Sequence, residues 1–203
     1  FMLADANVNV LLTQQHLLER LEDLSYEGNL QTVCLDRDWS TMARLSRENP
    51  ATLVTHHTHA YAMYTSGSSG QPKGVQIEHV ALHNLVAWHA KTFRPSLEDR
   101  VSQFASLSFD ASSWEIWHCL STGASLYIDP EQYRLSPLAF QKWLGAQQIT
   151  VGFLPTPVLE AFLAIPWTDA NHCLETLHSG GAPLLSVPQV AFPFAIINDY
   201  GPS

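Results

Sequence analysis

Residues 60–79 read AYAMYTSGSSGQPKGVQIEH. The middle of this stretch, residues 65–74, is small, polar and rich in serine and glycine, and it carries one lysine, Lys73. Strand-type residues stand on both sides: Tyr61, Met63 and Tyr64 before, Val75 and Ile77 after. Glycine lets a backbone approach a ligand closely because it has no Cβ. Backbone N–H donors, serine hydroxyls and one ammonium converging from a loop between two strands suit a polyphosphate. A plain Ser/Gly linker needs neither β-patterned flanks nor Pro72-Lys73-Gly74 at its exit. The common P-loop order does not fit, because Lys73 follows Pro72 and precedes Gly74 rather than a Ser or Thr.

Two further stretches carry chemistry. In residues 107–117, LSFDASSWEIW, Asp110 stands among Phe109, Ala111, Trp114 and Trp117. A carboxylate in apolar company is costly unless something pairs with it. Asp110 or Ser112 as a helix N-cap is one reading, and Asp110 as the counter-ion of a substrate ammonium is the other. Near the end, residues 198–203 read NDYGPS. Tyr200 offers a flat face for a base and Asn198 an amide to read its edge, while Tyr-Gly-Pro is also an ordinary tight turn.

The first stretch resembles the phosphate loop of the adenylate-forming enzymes, most of all that of the amino-acid adenylation domains of nonribosomal peptide synthetases. That family usually has threonine where this chain has Ser69. Phe109-Asp110-Ala111-Ser112 resembles its second signature, and Asn198–Ser203 resembles its Asn-x-Tyr-Gly-Pro-Thr-Glu, with Ser203 in place of threonine. The resemblance implies ATP-dependent conversion of an amino acid to aminoacyl-AMP, then loading onto a carrier-protein phosphopantetheine. It implies that Thr65, Ser66, Gly67, Ser68, Ser69, Gly70 and Lys73 hold phosphate, with Lys73 and Ser203 nearest the chemistry. It places Gly181, Asn198, Tyr200, Gly201 and Ser203 at the nucleotide. It gives the α-amine to Asp110, with capping of that helix left to Ser112, and the side-chain pocket to Ala111, Trp114, Phe153, His178, Gly180 and Asp199. Trp114 and Phe153 favour an apolar, medium-sized side chain, and His178 and Asp199 suit a polar tip. The partners implied are an amino acid and the carrier-protein and condensation domains of a parent synthetase. Magnesium belongs to the reaction, with its ligand glutamate expected beyond Ser203, so no metal ligand is assigned in this chain. An acyl- or aryl-CoA ligase, or a nucleotide-binding fragment without catalysis, is the alternative.

Hydrophobic periodicity supports the matching architecture. Strands are expected over Val8–Leu12, Leu30–Leu35, Val101–Ser106, Ala124–Ile128, Ile149–Leu154, Thr176–His178 and Pro193–Ile197. A helix capped by Thr13 carries Leu17, Leu18, Leu21 and Leu24, so residues 8–35 read as a β-α-β unit with a parallel strand pair. A turn of helix is expected within Trp39–Leu45, and a longer helix over Val80–Phe93 with Leu82, Leu85, Val86, His89 and Phe93 on its apolar face. Ser136-Pro137 reads as a cap and first turn ahead of Leu138, Phe140, Trp143 and Leu144. Thr156-Pro157 opens a helix with Leu159, Phe162 and Leu163. The alternation indicates a layered α/β fold with a largely parallel sheet, which gathers ligands beyond the carboxyl ends of its strands. Residues 65–74, Asp110, Phe153, Gly180-Gly181 and 198–203 are all expected there.

The formal net charge of −9 gives no general attraction for nucleic acid or an anionic membrane, so bound phosphate needs a local site. Cys34, Cys119 and Cys173 form no CxxC pair and fit reduced thiols and a cytoplasmic location. His56, His57 and His59 lack acidic or cysteine partners at ligand spacing, and the residues between His79 and His83 lack the glutamate of His-Glu-x-x-His. No apolar run is long enough for a bilayer. Residues 1–203 are expected to be part of a large N-terminal domain of the adenylate-forming fold, without its upstream edge, its end, or the small C-terminal domain. Alone, they are expected to be inactive.

Overall fold

A computed structural model describes residues 1–22, 28–66, 70–134, 136–167, 172–185 and 191–199. The chain divides into two units, Phe1–His79 and Val80–Ser203.

The first unit opens with α1 (Met2–Asp5), β1 (Val10–Thr13), a 3₁₀ turn (Gln15–Leu17), α2 (Leu18–Glu22), β2 (Gln31–Cys34) and α3 (Trp39–Met42). The expected parallel pair forms, with Val10 opposite Gln31 and Thr13 opposite Cys34. Thr13 does not cap a helix. It ends β1, and its carbonyl accepts the Leu35 N–H at 2.8 Å, which commits it to the ladder. β3 (His59–Ser66) and β4 (Pro72–Glu78) pair antiparallel as their own two-stranded sheet. A connection of only residues 67–71 permits a hairpin but not a crossover. Tyr64 lies across Gly74, where a Cβ would come within 3.2 Å of its ring, and its hydroxyl donates to Asp5 Oδ2 at 2.7 Å. Gly74 therefore leaves room for the aromatic ring that ties the hairpin to α1.

The second unit holds α4 (His79–Phe93, from the last residue of the first unit), β5 (Arg100–Gln103), α5 (Asp110–Thr122), β6 (Ser125–Ile128), α6 (Glu131–Arg134), α7 (Pro137–Gln147), β7 (Val151–Pro155), α8 (Thr156–Leu163), β8 (Thr176–Gly180) and β9 (Ala195–Asn198). Its five strands form one parallel sheet in the order β6-β5-β7-β8-β9. The chain leaves β5 to one side for β6 and returns to the other side for β7, so the strand order switches there. The period of two along each strand divides the residues between the faces. Leu154 and Leu177 join Phe140, Leu144, Leu159 and Phe162 in the main core with α7 and α8. Val101 and Val151 pack with Cys119 of α5 in a smaller one.

The caps explain two boundaries. Ser136 accepts the Ala139 N–H at 3.3 Å with Pro137 in the first turn, as expected. Gly123 ends α5 at φ +77°, where glycine is favoured. On α7, Leu138 is exposed and Gln141 is buried instead, its Nε2 donating to the Pro166 carbonyl at 3.4 Å. Hydrophobic type alone placed Leu138 in the core, but it lies outside the arc that faces the sheet.

Candidate functional site

The hairpin presents the phosphate-loop residues on strands as well as in the turn. Thr65 and Lys73 are directly opposite across the antiparallel pair, as are Ser66 and Pro72. Lys73 is thus a strand residue rather than part of the loop proper, and both Thr65 and Lys73 are exposed. Cross-strand neighbours have Cβ atoms about 5 Å apart, so a hydroxyl and an ammonium leave the same face of the ribbon. Gly70 is exposed at φ +83°, with no atom within 4 Å of where a Cβ would stand. Gly67, Ser68 and Ser69 lie outside the described residues, as do Tyr200, Gly201 and Ser203.

Asp110 is the first residue of α5, and its carboxylate accepts the Ala111 N–H at 2.8 Å. It is exposed, as are Phe109 and Trp117, so the apolar burial expected from its neighbours is not found. Phe109 holds the N-cap position without a side-chain cap bond. Ser112 does not cap either: it is buried inside the first turn, and its hydroxyl donates back to the Phe109 carbonyl at 2.7 Å.

Four residues further along α5, Trp114 lies on the same helix face as Asp110 and belongs to a compact cluster. Its ring centroid is 4.5 Å from His178 and 6.5 Å from Phe153. Phe153 and His178 are opposite each other on β7 and β8. His178 Nδ1 lies 2.7 Å from Asp199 Oδ2, and a carboxylate partner assigns the ring proton to Nδ1. A Cβ at Gly180 would lie 3.6 Å from the Asp199 carbonyl oxygen and 3.7 Å from Phe153. Trp114, Phe153, His178, Gly180 and Asp199 are therefore gathered, by one helix and the ends or middles of three strands. Phe153 and His178 lie mid-strand rather than at carboxyl ends. Ala111 is half-buried in the first turn of α5, Gly181 follows β8 at φ +90°, and Asn198 ends β9.

Two residues outside the motifs join this region. His89 and His118 are buried with Nδ1 atoms 2.7 Å apart, so one ring must donate and the other accept. Their rings lie 5.9 Å (His89) from His178 and 5.4 Å (His118) from Trp114. The Nε2 atoms of His89, His118 and His178 are buried without a hydrogen-bond partner among the described residues. These three histidines edge a cavity of about 460 Å³ whose other walls include Asp99, Thr150, Glu175 and Thr176, at the amino ends of β5, β7 and β8. Of the expected site residues only His178 lines it, so this cavity is not at the carboxyl ends where ligands were expected. Apolar spacing already put His89 on the buried face of α4, but nothing in the spacing of His118 announced the pair.

Glu115, within residues 107–117, had no role expected of it. It is fully buried and accepts N–H bonds from Phe104 at 2.9 Å, Ala105 at 3.1 Å and Gln103 Nε2 at 3.3 Å. Its signal was helical spacing: Ser112, Glu115 and Cys119 share the buried stripe of α5.

Burial is the main cause of each large pKa shift here. It pushes His89 down to about 3, helped by the charges His118 and His178 would carry. It pushes His118 down to about 4 against the pull of Asp99. It pushes Glu115 up to about 7 despite three N–H donors, with Asp129 adding repulsion. The histidines, with folded pKa values below 6.5, make stability fall as pH drops from about 6.5 toward 4. Glu115, with a folded value above 4.5, makes stability rise as pH drops from about 7 toward 4.5. Two protons against one leave a net loss on the order of 1 kcal/mol per pH unit between pH 6 and pH 5. Denaturant titrations followed by tryptophan fluorescence at pH 7, 6 and 5 should show it. Stability that is level or rising toward pH 5 would mean that the folded protein accepts protons on this pair.

Among the described residues no group of three or more His, Cys, Asp or Glu side chains is placed to hold a metal ion, and no helix is long and apolar enough to cross a membrane.

The sequence model of the AMP-binding enzyme family matches residues 1–203. The chain is 46% identical over 204 residues to one of the subunits of linear gramicidin synthase of Brevibacillus parabrevis, covering all of this chain and 3% of that protein. It is 35% identical over 207 residues to surfactin synthase subunit 1 of Bacillus subtilis (strain 168), again over its whole length and 6% of that protein. The chain thus spans a small part of these relatives. Among solved structures, the adenylation domain AlmE of Vibrio cholerae, in complex with glycyl-adenosine-5'-phosphate, matches with a TM-score of 0.76 at 24% identity. That match covers 99% of this chain and 42% of that one. The N-terminal domain of FACL13 from Mycobacterium tuberculosis matches with a TM-score of 0.80 at 17% identity, covering 99% and 52%.

Proposed function

We propose, since this chain belongs to the AMP-binding enzyme family, that the protein carrying it adenylates an amino acid for nonribosomal peptide synthesis. The supporting observation is local to α5. Asp110 opens the helix with an exposed carboxylate, and Trp114, on the same face, leads into the cluster of Phe153, His178, Gly180 and Asp199. An anion suited to an ammonium beside a mostly apolar side-chain site, with one polar pair in it, describes an amino-acid receptor. The relatives at 46% and 35% identity are a linear gramicidin synthase and a surfactin synthase by name.

In this reading the substrate carboxylate attacks the α-phosphorus of ATP, a P–O bond forms, and the bond to the bridging oxygen breaks to release pyrophosphate. The carboxylate is already a competent nucleophile, so catalysis is alignment and charge neutralisation. Lys73 and Thr65 steady phosphate oxygens from the hairpin, and Asp110 orients the amine. A carrier-protein phosphopantetheine thiol then displaces AMP to form a thioester. Magnesium would neutralise phosphate charge in a reaction of this type; among the described residues no group of three or more His, Cys, Asp or Glu side chains is placed to hold it.

ATP–pyrophosphate exchange by the full-length protein tests the reading. Exchange should require one amino acid and ignore fatty and aryl acids; the reverse preference would establish a CoA-ligase-type activity instead. Lys73→Ala should slow exchange by roughly 10- to 100-fold, the loss of one charge-assisted phosphate contact of about 1.5–3 kcal/mol. Unchanged exchange would remove Lys73 from the site.

A further inference from the structure

Between the end of β5 and the start of α5 the chain must turn back and deliver Asp110 at a fixed point. Of the six intervening residues, 106–109 make short-range bonds among themselves. Ser106 and Ser108 hydroxyls are 2.9 Å apart, and the Phe109 N–H donates to the Ser106 carbonyl at 2.9 Å. Ser106, Leu107, Ser108, Phe109 and Asp110 are all exposed. The firm attachment is at the base of the turn. Glu115, wholly shielded from solvent, takes the Phe104 N–H on Oε1 and the Ala105 N–H on Oε2, and also receives Gln103 Nε2. Gln103 Nε2 in turn donates to the Ala105 carbonyl. One carboxylate on the second turn of α5 thus grips the three residues that leave β5. It closes a ring of chain from Phe104 to Glu115, and Asp110 stands on that ring.

Burying a carboxylate is expensive even with hydrogen bonds, and an apolar side chain would fill this stripe of α5 at less cost. The bonds it makes are directional, all with N–H donors, and all on the segment that precedes Asp110. We propose that Glu115 is a positioning residue for the amine-binding carboxylate: by clamping the exit of β5 onto α5 it sets where Asp110 stands. This rests on the reading of Asp110 given above. Glu115 does not touch substrate. Its effect is expected on amino-acid recognition and not on the nucleotide, because the nucleotide contacts assigned to the hairpin involve none of these bonds.

The test uses the full-length protein with Glu115→Gln. Glutamine keeps the volume and one accepting oxygen, but turns an NH2 group toward donors that need an acceptor. The Michaelis constant for the amino acid should rise roughly 10- to 100-fold, with that for ATP within about twofold of wild type, corresponding to about 1–3 kcal/mol lost at one substrate only. Hydrogen exchange at the Phe104 and Ala105 amides should accelerate while α7 and α8 stay protected. Glu115→Asp, which keeps the charge on a shorter arm, should recover part of the amino-acid constant. If Glu115→Gln does not fold, Glu115→Asp carries the same split as a smaller change.

Equal losses for both substrates, or slower turnover with both constants unchanged, would mean a structural role only and overturn the proposal. If no variant, wild type included, exchanges pyrophosphate with any amino acid, the adenylation reading fails. Faster exchange at Phe104 and Ala105 without faster exchange at Asp110 and Ala111 would then reject the clamp independently.

Discussion

Asp110→Asn should raise the amino-acid Michaelis constant by about 100-fold or more while leaving the fold standing. Asparagine matches aspartate in shape but cannot neutralise an ammonium. Removing one partner of a desolvated charge pair costs roughly 2–5 kcal/mol. In the free protein Asp110 is exposed and bonds only the adjacent Ala111 N–H among the contacts described for it. Its folding role is therefore that of an acidic residue in a first helical turn, worth about 0.3–1 kcal/mol. The two magnitudes separate binding from stability. The ATP constant and the denaturation midpoint should barely move, and amino-acid-dependent pyrophosphate exchange should nearly vanish. Exchange at wild-type amino-acid concentrations in this variant would take the amine away from Asp110. A large fall in stability would mean instead that the side chain supports the turn.

Phe162→Ala should destabilise the second unit by about 3–5 kcal/mol. Phe162 is 1% exposed, with ring centroids 6.2 Å from Phe140 and 5.7 Å from Trp167, in the core where α7 and α8 meet the sheet. Domains of this size are stable by about 5–15 kcal/mol in total, so one ring is a large share of the margin. Leu138→Ala is the comparison. Leu138 is 48% exposed on α7, and its loss should fall within about 0.5 kcal/mol. Denaturant midpoints for the two variants check both values. Similar losses would show that the buried arc of α7 includes position 138 after all.

The elements legible in the sequence are those whose signal is local. Ser136-Pro137 caps α7 as its residue types require, Thr156-Pro157 opens α8, and Leu82, Leu85, Val86, His89 and Phe93 line the inner side of α4 at the expected spacing. Thr13 and Ser112 looked like caps by type but act otherwise. A strand ladder claims the Thr13 carbonyl, and a helical carbonyl one turn back claims the Ser112 hydroxyl. Capping depends on where a helix begins in space, and that in turn depends on what the preceding strand pairs with. The same dependence governs Asp110. Aromatic neighbours in sequence suggested burial, but Phe109 and Trp117 turn outward around the helix.

Residue order alone determined the β-patterned flanks of the Ser/Gly loop with its lysine, the alternation that makes a parallel α/β sheet, and the identity of the carboxylate at the head of α5. Those properties follow from side-chain type and period along a single segment. Tertiary structure decided the register that sets Thr65 opposite Lys73, the meeting of Trp114, Phe153, His178 and Asp199, and the burial of Glu115 against the exit of β5. Each of those brings together groups far apart in the chain, or sets how deeply a charge lies. Pairing between strands and desolvation by packed neighbours fix such distances, and no one segment encodes them.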